Sequence, residues 1–323
     1  MSKLVIFVMS ILLLMSSGAS AQSTNPYDEK NCTCVGNHPY EPPPPLNGGV
    51  SNINDIISLA RASSDSTARD NILRNGLQRT TSVYDVITLA QSTYYTDNKE
   101  DFLKRGLSFA RTTDEVLALA RAAYYSYDKD AILARGVDRA RSVNEILQMA
   151  DSCSDYNNRD ALLKRGIPLA NNVYDFLALA GKAFYTSNKD SILDAGVSRA
   201  TSAEDVAKLA RACGDYSDKG QLANKGVRFA VNANDYITLA NACYYSADKD
   251  RILLAGSQRM NNIQDFVALA RTAGDYSDRD RILLNGARYA RSAQEIQMLA
   301  SAAYYTTNKD EIIKIGASYL TGR

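Results

Sequence analysis

From residue 51 onward, apolar and polar positions recur in one 30-residue phrase. In the second phrase Val83, Val86, Ile87, Leu89, Ala90 and Tyr94 fall three or four residues apart, or side by side on the same stripe. That spacing gathers side chains on one face of an α-helix. After a stretch rich in Ser, Thr, Asn and Asp a second stripe follows; in the third phrase it is Ile132, Leu133, Gly136, Val137 and Ala140. Each phrase therefore predicts two helices, A (about 13 residues) and B, joined by a polar turn. Neither helix can bury its apolar face alone, so neighbouring phrases must stack.

The phrase repeats without insertion or deletion. Glycines from Gly76 to Gly316 and alanines from Ala60 to Ala300 each recur every 30 residues, which places nine units between 51 and 320, with Ser51 as position 1 of the first. Gly fits the stripe of helix B and is expected as a close-packing contact; a C-terminal helix cap is the alternative. Position 2 is always a good N-cap residue (Asn52, Ser82, Thr112, Ser142, Asn172, Ser202, Asn232, Asn262, Ser292), and position 5 is always acidic, from Asp55 to Glu295. This is a capping-box pattern, in which a side-chain oxygen takes an orphan amide and the carboxylate suits the positive helix end. Helix B opens with an Asx-basic-acidic motif such as Asp128-Lys129-Asp130 or Asn188-Lys189-Asp190. A cation in every unit argues against calcium loops, and capping with a local ion pair accounts for the motif.

The expected fold is all-α: a right-handed-type α-solenoid of nine 30-residue helix-turn-helix repeats. In organisation it resembles the HEAT, armadillo and tetratricopeptide arrays over residues 51–320, although the motif and repeat length match none of them, so no family's residues carry over. Tyr84-Asp85-Val86-Ile87-Thr88-Leu89-Ala90 also looks like the first helix of TAL-effector-type DNA-binding repeats, whose unit is longer.

A second period doubles the first. The penultimate residue runs Arg79, Phe109, Arg139, Leu169, Arg199, Phe229, Arg259, Tyr289, Tyr319. Repeats 3, 5, 7 and 9 end helix A with Tyr124-Tyr125, Phe184-Tyr185, Tyr244-Tyr245 and Tyr304-Tyr305, whereas repeats 4, 6 and 8 carry an Asp and a Tyr, as in Asp155-Tyr156, Asp215-Tyr216 and Asp275-Tyr276. Repeat 2 breaks the alternation with Tyr94-Tyr95. Growth by duplication of a 60-residue unit accounts for this, with the later Tyr expected to fill the space of the missing pair.

The segment before the repeats points to export. Lys3 precedes the apolar run Leu4 to Met15, and Ala19-Ser20-Ala21 fits a cleavage site, so residues 1–21 are expected to be a signal peptide and the protein secreted or periplasmic. An uncleaved anchor is the alternative; after cleavage no membrane span is expected. Residues 22–50, with Pro42 to Pro45 and Gly48-Gly49, form an expected linker, and 321–323 a short tail. Cys32 and Cys34 lie in the linker, where their redox state stays open. Cys153, Cys213 and Cys243 share one repeat position that elsewhere holds Ala, Ser or Thr, the pattern of buried structural thiols.

Charge narrows the function classes. Setting aside Lys3, Lys30 and Arg323 among 37 basic residues, and Asp28, Glu29 and Glu41 among 36 acidic ones, leaves the repeats within one charge of neutral. Phosphate binding needs a cationic surplus, so no nucleic-acid partner is expected. The only His is His38, and no nucleophile elbow, phosphate loop or zinc motif occurs, so no catalysis, cofactor or metal is expected.

The candidate chemistry is aromatic. The chain has 20 Tyr and no Trp, and 12 of those Tyr cluster at the A–B turns, where stacked repeats would align them along one edge. Candidate binding residues are Tyr95, Tyr125, Tyr185, Tyr245 and Tyr305 together with Tyr156, Tyr216 and Tyr276. Tyr offers flat apolar area and one hydroxyl, suited to a protein, peptide or glycan. The same rings could instead seal the gaps between repeats. The polar face of helix A, for example Tyr84, Thr88 and Gln91, is a second candidate surface. The expected function is an exported, non-enzymatic binding scaffold; a self-associating structural protein of an envelope or extracellular layer is the alternative. At the ends, polar Ser63 to Ser66 suggest an N-terminal cap, whereas Ile312, Ile313 and Ile315 leave the last repeat uncapped and open to self-association.

Overall fold

A computed structural model describes residues 52–322. The expected signal peptide (1–21), the linker (22–50) with Cys32 and Cys34, and Arg323 lie outside the described residues.

Within them the chain is an all-α solenoid of helix pairs. Repeats 1 to 3 comprise α1 (Ile53–Ala62) with α2 (Ser66–Gly76), α3 (Val83–Gln91) with α4 (Thr96–Gly106), and α5 (Thr113–Ala122) with α6 (Ser126–Gly136). Repeats 4 to 6 comprise α7 (Val143–Ser152) with α8 (Tyr156–Arg165), α9 (Val173–Lys182) with α10 (Thr186–Gly196), and α11 (Ala203–Ala212) with α12 (Tyr216–Lys225). Repeats 7 to 9 comprise α13 (Ala233–Ala240) with α14 (Ser246–Ser257), α15 (Ile263–Thr272) with α16 (Tyr276–Ala287), and α17 (Ala293–Ala302) with α18 (Thr306–Thr321). Each helix packs on its own pair-mate. Each odd helix also packs on the next odd helix, and most even helices pack on the next even one, so two layers of helices enclose one continuous core.

The first helix of each pair starts where the sequence says it should. All nine position-2 side chains accept at least one backbone amide of the first turn. The reciprocal box closes at Ser82–Asp85, Thr112–Glu115, Asn172–Asp175 and Asn232–Asp235. The helices are shorter than the expected 13 residues, at 8–10. The periodicity ran past the true end because the aromatic positions beyond it belong to an extended link. In most repeats the residue at position 13 is already extended, as Ala123 is (φ −64°, ψ 142°).

The repeat glycine is a close-packing residue. It lies at or near the end of helix B in repeats 1 to 8 and inside α18, in ordinary right-handed helical geometry where it closes the helix, so positive φ is not its purpose. A Cβ on Gly136 would lie 2.3 Å from Val116 of its own repeat, and one on Gly106 would lie 2.6 Å from Leu119 of the next. The glycine lets helix B settle against both. Cys153, Cys213 and Cys243 are free thiols, and burial pushes each up to about 12. They are packing residues, as expected.

The acidic residue at position 20 does something the sequence did not show. It was expected to cap and ion-pair locally. Instead it is buried and reaches into the following repeat. The Asp160 carboxylate accepts the backbone amides of Phe184 (2.8 Å) and Tyr185 (3.0 Å) and the Asn188 side-chain amide (2.9 Å). Asp70, Asp130, Asp190, Asp250 and Asp280 take the equivalent pair of amides, and Glu100 takes that of Tyr124. These amides stand at the N-terminal entry to the next helix B, where orphan donors and the positive helix end favour a carboxylate. Each repeat therefore caps its successor. Gly220 is the exception. Its missing side chain leaves space into which Asp248 of the following repeat leans, 2.2 Å from where a Cβ would stand.

Candidate functional site

The carboxylate that bridges two repeats lies at the foot of the aromatic edge. At most joints it binds the amides of positions 14 and 15 in an A–B link that is extended, and the link at Tyr245 is equally extended where Gly220 supplies no carboxylate. Successive side chains on an extended segment diverge, so the two rings of a pair meet edge to face. Their centroids are 5.0–5.2 Å apart in Tyr94–Tyr95, Tyr124–Tyr125, Phe184–Tyr185, Tyr244–Tyr245 and Tyr304–Tyr305.

The 60-residue period has a steric cause at this edge. At alternate joints the first residue of helix B is Tyr, and its ring stacks on the position-14 ring of the next repeat: Tyr156 on Phe184 at 3.9 Å, Tyr216 on Tyr244 at 4.0 Å, Tyr276 on Tyr304 at 4.0 Å. The joints between repeats 3 and 4, 5 and 6, and 7 and 8 pair small with small. A Cβ on Gly214 would stand 2.5 Å from Thr186, and one on Gly274 would stand 2.8 Å from Ser246. The even-repeat Tyr was expected to fill the space of a missing pair. It instead crosses the joint and stacks on the pair that follows. Three aromatic triads result: Tyr156–Phe184–Tyr185, Tyr216–Tyr244–Tyr245 and Tyr276–Tyr304–Tyr305. In repeat 3, Tyr127 stacks on Tyr125 at 5.4 Å and makes a local triad.

Of the candidate residues, Tyr95, Tyr185, Tyr245, Tyr305, Tyr156, Tyr216 and Tyr276 are exposed at 38–50%, and Tyr125 is half-buried. The position-14 rings stand further out, at 53–72% for Tyr94, Tyr124, Phe184, Tyr244 and Tyr304. These outermost rings were not singled out from sequence, because the pair residues look interchangeable there. The signal was present in the glycines at the same position in repeats 6 and 8, which mark it as a joint contact. The rings thus pack on one another and still display their faces and hydroxyls. Two neighbours add polarity: Lys219 lies 5.5 Å from the Tyr216 ring centroid, and the Asp215 carboxylate beside it accepts the Ser217 and Asp218 amides.

The second candidate surface is also solvent-facing: Tyr84, Thr88 and Gln91 are exposed. Farther along, Lys208 donates to the Tyr174 hydroxyl at 3.0 Å, linking neighbouring repeats across this face. Among the described residues no group of three or more His, Cys, Asp or Glu side chains is placed to hold a metal, and no helix is long and apolar enough to cross a membrane.

No family model matches the chain, and no curated protein matches it. Among solved structures it is similar to a circular tandem repeat protein with novel repeat topology and enhanced subunit contact surfaces, at 14% identity and a TM-score of 0.16, over 84% of this chain and 62% of that one. The chain therefore spans less than two thirds of that protein's length. It is also similar to a computationally designed self-assembling cyclic homooligomer, at 13% identity and a TM-score of 0.13, over 84% of this chain and 91% of that one.

Proposed function

We propose that the protein is an exported, non-enzymatic binding scaffold that presents its tyrosine-rich edge to an extended protein, peptide or glycan. One observation carries this reading: five aromatic clusters span the turns of eight successive repeats, with their rings held in fixed mutual geometry and left exposed. Rings ordered in the free protein lose little freedom on binding, and a row of flat faces bearing hydroxyls suits a partner that repeats along its own length. Secretion fits a partner met outside the cytoplasm. The near-neutral repeats favour an uncharged polymer or a polar peptide over nucleic acid.

The test uses immobilised polysaccharides (cellulose, chitin and peptidoglycan) and an array of extended peptides as probes. Binding to at least one class is expected. Changing Tyr124, Phe184, Tyr244 and Tyr304 together to Ala should weaken it by roughly 1,000-fold, about 1 kcal/mol per ring. Retention of binding by a folded quadruple variant would remove the edge from consideration. Substituting Thr88 and Gln91 on the polar helix face should leave binding unchanged.

A further inference from the structure

The two ends of the described array are the separated halves of one more joint. At position 9, Leu89, Leu119, Met149, Leu179, Leu209, Leu239, Leu269 and Leu299 are fully buried, whereas Leu59 in the first repeat is 41% exposed. The reason is visible at the internal joints. The position-9 side chain packs against the glycine of the preceding repeat, as Leu119 does at Gly106 and Leu239 at Gly226, and the first repeat has no predecessor. The polar residues Ser63 to Ser66, expected to cap this end, sit at the A–B turn and leave Leu59 uncovered.

The other end shows the complementary pattern. At position 23 the eight earlier side chains, from Leu73 to Leu283, are fully buried, whereas Ile313 is 48% exposed. At position 20 the carboxylates of Asp70, Asp130, Asp160, Asp250 and Asp280 are nearly inaccessible, whereas Asp310 is exposed. Between α17 and α18 lies an open groove of about 650 Å³ formed by Ile296, Ala300, Ile313, Ala317 and Leu320, with Asp310 on its wall. Of these, positions 20 and 23 are buried in the earlier repeats, where the position-20 carboxylate, present in all but repeat 6, binds the next repeat.

We propose that this groove binds the first repeat of a second copy of the chain, head to tail. The occupant is fixed by chemistry already seen at the internal joints. Leu59 of the incoming copy enters the apolar groove beside Ile296 and Ile313. Its Ser64 and Asp65 amides, which have no preceding repeat to hold them, meet the Asp310 carboxylate as Phe184 and Tyr185 meet Asp160. The contact is heterologous, using one surface from each end, so it extends into chains or closes into rings instead of stopping at a symmetric pair. It stands independently of the tyrosine edge, and substituting that edge leaves it intact.

Sedimentation velocity of the purified protein from low micromolar to near-millimolar concentration tests this, with two blocked variants whose helix content is first verified by circular dichroism. One carries Leu59→Glu, the other Asp310→Lys with Ile313→Glu. The unmodified protein is expected to grow beyond the dimer with concentration. Each blocked variant alone should be monomeric, and a mixture should form a one-to-one dimer through the intact head of one and the intact tail of the other. Asp310→Asn, at an exposed site that does not endanger folding, should weaken association about ten-fold. A monomer at all concentrations overturns the proposal. So does self-association of the Leu59→Glu variant alone, which would mean tail-to-tail contact, or a mixture of the two variants that stays monomeric.

Discussion

At the scale of single residues, the carboxylate at position 20 decides most. Asp160 is fully buried and holds three donors, two of them backbone amides that lie out of reach of any other acceptor on their own helix. Asp160→Ala should therefore destabilise the fold by about 3 kcal/mol, the cost of leaving buried donors unmade. Chemical denaturation reads this directly, and a loss below about 1 kcal/mol would show that water replaces the carboxylate. A different residue role governs pH response. The Ser217 hydroxyl first, then the Ser217 and Asp218 amides, hold the Asp215 carboxyl below the usual range, and Ser277 and Asp278 do the same for Asp275. A group whose folded value is depressed stabilises the fold above its unfolded value, about 3.9 for Asp. That contribution fades as pH falls through the lower folded value. Asp215→Asn with Asp275→Asn keeps neutral caps, so thermal melts of variant and parent should differ at pH 6 and converge in strong acid. A gap that widens toward acid contradicts the assignment.

At the scale of the helix pair, the sequence was legible where a rule is local. N-caps, the acidic third position and the apolar stripes act within one turn of helix, and Ser82, Asp85, Val86 and Leu89 lie where their spacing says. The end of helix A was not legible, because the apolar spacing runs on into an aromatic link whose partners lie in another repeat, as Glu100 of the repeat before binds the Tyr124 amide. For the same reason Asp130 read as a local cap, although its partners Ser154 and Asp155 are 24 and 25 residues away. The aromatic edge was visible as composition, but its triads were not, since stacking of Tyr276 on Tyr304 depends on how two repeats abut. The glycine belongs to this scale too. Ala is the better helix former by about 1 kcal/mol, yet a Cβ on Gly136 would press on the β-branched, buried Val116 at 2.3 Å. Crowding wins, and Gly136→Ala is expected to lower stability by about 1–3 kcal/mol. The same substitution at Gly181, which has open space around it, should be neutral or stabilising. A pair of denaturation curves separates the two outcomes.

At the scale of the whole array, stability is expected to be a sum of repeats and joints, with each joint free to differ. Seven of the eight internal joints carry the bridging carboxylate; the one between repeats 6 and 7 has Gly220 in its place. That joint is the natural place for the array to open locally. It also lies under the Tyr216–Tyr244–Tyr245 triad, so the edge is least firmly backed there. The measurement that reaches the central claim, that each repeat is capped by the one before it through a buried carboxylate, is residue-resolved amide hydrogen exchange. The amides of Tyr94, Tyr95, Phe184, Tyr185, Gly274, Asp275, Tyr304 and Tyr305 should exchange slowly, while those of Tyr244 and Tyr245 exchange at least ten-fold faster, the effect of a lost hydrogen bond. Equal rates at all these turns, or rapid exchange throughout them, would contradict it.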